Sequence, residues 1–323
     1  MSPGRRWFQR LLPAFVSAAA LFWLFSNVEI DGIRATLSWR VVAVLVPSLL
    51  VYGAVALAIE AASIMQLTPR RPEGFGPWTA ARIKCATYLL GIVNYALGAG
   101  ALAVLLRRRA GLGLGASASV VLLISSLDLV IVIAFGGAGA AVSGIDTASL
   151  GTQGVAVAAL VGMGFFGGLT LLRIPGPLGP LERIRSLAFF GALRTTPLSV
   201  LAQVGCLRVL FSLSFISLSA AAFYAFDIWP GAGRLIAGMM FVALVSALPI
   251  AVAGLGTGQA AVLVAFRGLA EPGALLAMSL VLSAGMILLR AAMGLIFARE
   301  FTREALDETR ERDEVHGQVG TAK

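Results

Sequence analysis

Four ionisable residues interrupt long apolar runs of this chain: Glu60, Asp128, Arg208 and Arg290. Inside a bilayer each costs about 2.5–3.5 kcal/mol even on the lenient insertion scale, so each needs a partner or a task. Counting ~1.5 Å of rise per residue from the ends of their runs puts Asp128 and Arg208 about 15–18 Å deep, near the midplane. There an aspartate and an arginine have two uses. They line a polar pocket for a charged headgroup, or they form a structural ion pair that fixes helix packing. Asp128 is also the residue a proton relay would use. Glu60 and Arg290 lie shallower, about 10 Å in, where packing and snorkelling suffice to explain them. Three neutral candidates join this set: Asn94, Gln203 and Gln259. Backbone N–H groups at the starts of broken helices would add positive potential suited to a phosphate or carboxylate.

Other chemistry has little to be built from. The one histidine, His316, sits in a polar tail, and the two cysteines, Cys85 and Cys206, are far apart in apolar surroundings. Neither a metal centre nor a Ser-His-Asp type triad follows from that inventory. GAGALAV and GLGLGAS lack the Lys-Ser/Thr of a phosphate-binding loop, so no ATP motif is present. The expectation is a protein that is not an enzyme, with no metal and no cofactor.

The elements that must position these residues are membrane helices. Of 323 residues, 59% are hydrophobic and 13% charged, and mean hydropathy is +0.91. A soluble chain carries about twice that charged fraction. The expected fold is an all-α polytopic membrane protein. Apolar runs place spans at about 11–28, 41–66, 116–138, 155–172, 198–226 and 274–297, with less regular runs at 85–106 and 236–267. The basic start and first run resemble a signal peptide, but no clean cleavage site follows, which favours an uncleaved first helix.

The second irregular run contains LPIAVAGLGTGQAAVLVAF, where Pro249, Gly254, Gly256 and Gly258 break an otherwise spanning segment. Arginine placement tests whether such runs cross. If all eight runs span, Lys and Arg divide almost evenly, 13 inside against 10 outside. If both irregular runs leave on the face they entered, the division becomes 19 against 4. The second arrangement predicts about six spanning helices plus two re-entrant hairpins, with both termini cytoplasmic. Non-helical backbone at that depth is tolerated where protein or a water-filled cavity surrounds it; tight helix packing through small residues is the competing explanation of the glycines.

Each half then reads helix, helix, hairpin, helix, over 11–138 and 155–297, with opposite orientation. That is the inverted topology by which many transporters build a midplane site. The membrane domain is expected over 1–298 and a charged cytoplasmic tail over 299–323. The excess of 25 basic over 16 acidic residues reflects this topology rather than nucleic-acid binding. Arg107 to Arg109 and the segment Arg173–Arg194 suit anionic lipid at the cytoplasmic face, or simple anchoring.

Three segments carry a family resemblance. LPIAVAGLGTGQAAVLVAF is similar to a Leu-Pro-Ile-Ser then Gly-Leu-Gly-Val-Arg-Glu stretch; NYALGAG with LLRRRAGLGLGASASVVLL looks like an Asn-rich hairpin with its basic cluster; SSLDLV matches the end of a Glu-Arg-Leu-Leu-Asp-Leu helix, aligning Asp128 with that aspartate. Together they resemble the flippase-like transmembrane domain of lysylphosphatidylglycerol synthases, over about 10–300. This chain departs from the pattern at Gly258 and Gln259, which replace Arg-Glu, at Ser125, which replaces Arg, and at Gly98 in the first hairpin. The aminoacyl-transferase domain of the larger synthases is not matched. The resemblance implies a carrier of lipids or lipid-linked intermediates, anionic ones foremost, in a bacterial inner membrane. The alternative is a non-transporting membrane partner of a glycosyltransferase or lipid-modifying enzyme.

Overall fold

The computed structural model describes residues 38–68, 72–93, 95–143, 150–173, 186–247 and 256–320. The expected first span at 11–28, together with Asn94, Pro249 and Gly254, lies outside them. Among the described residues every regular element is helical.

Among the described residues, four helices are long and apolar enough to cross a membrane: α1 (Trp39–Leu67), α4 (Leu114–Val142), α7 (Leu198–Ala225) and the Pro272–Phe297 part of α10 (Pro272–Gly320). At ~1.5 Å per residue each reaches about 40 Å. Between them lie α2 (Pro77–Val93), α3 (Tyr95–Arg109), α5 (Leu150–Arg173), the short α6 (Gly191–Thr195), α8 (Ala232–Ala247) and α9 (Thr257–Ala265). The expected span at 155–172 corresponds to α5, which is apolar over Leu160–Arg173. Large apolar side chains point outward along the helices, including Leu50, Leu210, Leu213, Leu288 and Ile296. Such a surface suits acyl chains and would be a liability in water. This is the architecture of a multi-pass membrane protein.

The chain doubles back at both irregular runs. In one straight helix residues 91 and 98 would stand about 10 Å apart. Instead, a Cβ placed on Gly98 would come 2.8 Å from the Gly91 Cα. So α2 and α3 form an antiparallel hairpin, hairpin 1, in which two glycines permit backbone-to-backbone contact. It begins at Pro77, well before the apolar run at 85 that marked it in the sequence. Hairpin 2 pairs α8 with α9: Gly258 faces Ser246 and Gly238 faces the Phe266 ring. Arg234 closes its base, donating to the carbonyls of Arg267 (2.6 Å) and Ala265 (3.4 Å).

The two hairpins enter from opposite ends. The start of hairpin 1 (Phe75, Ala80, Ile83) and its end (Leu106, Ala110) share one buried cluster with the C-terminus of α1 and the N-termini of α4 and α7. Arg107, Arg108, Arg109, Arg173 and Arg194 belong to this arginine-rich end. Both arms of hairpin 2 belong to a second cluster, with Val41 and Leu45 of α1, Leu218 to Ile228, and Leu275 of α10. Trp39, Tyr224 and Trp229 are exposed at that opposite end and Trp78 at the arginine-rich one, the positions that membrane interfaces favour for aromatic rings.

Helix directions follow from the contacts. Arg40 meets Tyr224 while Glu60 meets Arg208, so α1 and α7 are antiparallel. Gly53 receives Leu289 and Gly285 receives Leu49, so α1 and α10 are parallel. Gly139 and Gly136 of α4 pack on Gly233 to Met240 of α8, again antiparallel. Hairpin 1 therefore rests on α10 and hairpin 2 on α4, a reciprocal exchange between the halves.

Candidate functional site

The apolar clusters do not merge. Between them lies a layer of charge, centred on Arg208. Its side chain is fully buried, and its guanidinium reaches four residues. One amino group, Nη2, donates to Ser63 Oγ at 2.6 Å and to the Ile59 carbonyl at 3.2 Å. The other, Nη1, stands 3.2 Å from Glu60 Oε1 and 3.8 Å from Asp128 Oδ1. The Phe211 ring, one turn along α7, lies 5.3 Å from the guanidinium carbon. Residues 59, 60 and 63 share a face of α1 because positions three and four apart do so. One arginine thus ties α7 to α1 and faces α4.

Glu60 is the hub. Its Oε1 also lies 3.2 Å from Lys84 Nζ of hairpin 1. Lys84, Glu60, Arg208 and Asp128 form a chain of alternating sign across four elements, and its formal charges cancel. Its hydrogen bonding is incomplete: Glu60 Oε2, Asp128 Oδ1, and Arg208 Nε and Nη1 are buried without a hydrogen-bond partner. A buried network left partly open is costly, and such groups often mark where a ligand or a second conformation completes the set.

Beside this chain opens a cavity of about 620 Å³, within the size range of small-molecule sites. Glu60, Lys84, Asp128 and Arg290 reach its wall. The tip of hairpin 1 contributes Gly91, Tyr95 and Gly98, and the tip of hairpin 2 contributes Ser246, Ala247 and Gly258. Tyr95 and Ser125 hydroxyls lie 3.3 Å apart on the Asp128 side, while Arg290 sits beside Tyr52 on the α1–α10 side. Most of the remaining wall is apolar, including Leu102, Ile124, Val132, Phe215 and Met239.

Glu60, Asp128, Arg208 and Arg290 thus gather in one region, although Arg208 stands behind the wall and touches the cavity only through its partners. Glu60, read from depth alone as a packing residue, is the nearer carboxylate to Arg208; Asp128 is the farther. Gln259 has a different place. It is fully buried, accepts the Gly256 N–H at 2.6 Å and donates to Ser283 at 3.2 Å, so it caps α9 and fastens it to α10. Gly256 has φ +90°, a conformation open to glycine and strained for other residues. Gln203 is exposed on α7.

Lys84, Tyr52 and Ser63 escaped the sequence reading. Lys84 stands just before the apolar run at 85–106, in a flank, PWTAARIK, that is only weakly apolar. Yet Pro77 at a first helical position signals the helix start. Tyr52, Ala56 and Glu60 were legible as one stripe at i, i+4, i+8. Compared with protein-family models and with curated proteins, the chain finds no match.

Proposed function

We propose that this chain is a flippase-like carrier of lipids or lipid-linked intermediates in a bacterial inner membrane. Both hairpins act as re-entrant elements, and the cavity between their tips receives the headgroup. The observation that carries this reading is the convergence of two oppositely inserted hairpins on one charged cavity. Their arms are short for a bilayer: 17, 15, 16 and 9 residues, about 14–26 Å each, against a hydrocarbon core of ~30 Å.

The arginine-rich end faces the cytoplasm under the positive-inside rule, which puts both termini there. α1, hairpin 1 and α4 then form a half inverted relative to α7, hairpin 2 and α10, and movement of the hairpins against the long helices would expose the cavity alternately. Movement is passive or driven by membrane potential or protons, with Asp128 the candidate relay. The resemblance of LPIAVAGLGTGQ and SSLDLV to the flippase-like domain of lysylphosphatidylglycerol synthases supports the same reading.

The test is leaflet exchange of fluorescent lipids with differing headgroups in proteoliposomes. Faster exchange for at least one headgroup class is expected, with Asp128→Asn slowing it. Folded protein that accelerates none of them overturns the carrier and favours the alternative, a non-transporting partner of a glycosyltransferase or lipid-modifying enzyme.

A further inference from the structure

Charge balance in the cavity names the kind of headgroup it takes. We infer that Arg290 holds the phosphodiester of a lipid whose headgroup carries one net negative charge. The inference rests on the headgroup reading of the cavity and adds a substrate class to it.

The Lys84–Glu60–Arg208–Asp128 chain contains two positive and two negative side chains within ion-pair range, and it is formally neutral. Arg290 lines the same cavity, yet among the described residues no carboxylate comes within ion-pair distance of it. Its neighbours Tyr52 and Tyr88 are uncharged hydroxyl bearers. The cavity therefore holds one uncompensated positive charge at a half-buried position on α10.

A guanidinium removed from bulk water favours a phosphate oxygen pair, which it can grip with two parallel N–H bonds while adjacent hydroxyls donate a third. One phosphodiester carries one negative charge and neutralises the site. A cationic aminoacylated lipid would leave it at plus two, and a zwitterionic lipid would leave Arg290's charge uncancelled. The apolar remainder of the wall selects a lipid source over free phosphate, since Leu102, Ile124 and Val132 offer nothing to an aqueous anion.

The experiment measures lipid binding to purified full-length protein in detergent by native mass spectrometry, alongside leaflet exchange in proteoliposomes. The probes are phosphatidylglycerol, phosphatidylethanolamine, lysyl-phosphatidylglycerol and inorganic phosphate. Phosphatidylglycerol should bind at least about tenfold more tightly than the zwitterionic and cationic lipids. Arg290→Gln should remove that preference and Arg290→Lys restore part of it, with thermal unfolding of both variants near wild type. If phosphatidylglycerol is preferred through Arg290 but no lipid is exchanged, the anionic site stands and the carrier reading fails. If exchange occurs without headgroup preference, or is unaffected by Arg290→Gln, the carrier reading stands and this proposal is overturned. Protection by inorganic phosphate with no lipid bound overturns the lipid source.

Discussion

Removing the carboxylate of Glu60 tests the account of the charged layer most severely. Glu60 Oε1 is 3.2 Å from both Arg208 Nη1 and Lys84 Nζ, and its side chain is 7% exposed. Glu60→Gln keeps the shape but leaves Arg208, fully buried, with only Asp128 at 3.8 Å as counter-charge. Breaking a buried pair from one side costs about 3–5 kcal/mol, because an uncompensated charge stays in low dielectric. Arg208→Met alone strands Glu60 less completely, since Lys84 remains, and should cost less. The double variant removes both charges and leaves Lys84 with Asp128, so the single costs should not add: a coupling of about 2 kcal/mol or more is expected. The protein carries its own reporter in Cys85, which is buried one residue from Lys84, whereas Cys206 is exposed. On a Cys206→Ser background, a thiol-reactive dye during heating reads the opening of this region. Glu60→Gln that melts with the parent, or a double variant whose loss equals the sum of the singles, would refute the network as the organiser of the layer.

Three further outcomes follow from particular contacts. Gly98→Val puts side-chain atoms where Gly91 Cα already stands 2.8 Å from a Cβ; hairpin 1 should splay, lowering stability by about 1–3 kcal/mol, read by detergent melting and faster proteolysis. Gln259→Ala frees the Gly256 N–H and the Ser283 hydroxyl, a loss of about 1–3 kcal/mol, whereas Gln203→Ala on the exposed face of α7 should leave the melting point unchanged. Single cysteines at Arg107 and Arg194 should react with an impermeant maleimide from one side of the membrane and a cysteine at Arg267 from the other; labelling of Arg107 and Arg267 from the same side would overturn the opposed hairpins.

How much of this was legible beforehand depends on what each signal measures. Charge asymmetry located both doubled-back segments, because arginines are sorted by membrane face whatever the helix interior does. Gly256 and Gly258 marked the start of α9, with Pro249 and Gly254 outside the described residues, whereas Gly91 and Gly98 of hairpin 1 are ordinary residues of an apolar run and acquire meaning only when seen in contact. Depth counting drew Asp128 and Arg208 to the same level but could not choose Arg208's nearer partner. That choice depends on rotation about α1, which the Tyr52–Ala56–Glu60 stripe encodes. Gln259 misled because a buried amide beside a glycine turn has the same sequence signature whether it faces a cavity or caps a helix.

The reciprocal fit between α1 and α10 has a mechanical consequence. Each helix offers a notch, Gly53 or Gly285, and fills its neighbour's with a leucine, Leu289 or Leu49. Two teeth in two gaps fix the register of the pair, and the next seating lies a full helical pitch away, about 5.4 Å. Small continuous sliding is barred. α1 and α10 must travel as a single strut, and whatever motion the protein makes has to be taken up where the hairpins bear on it.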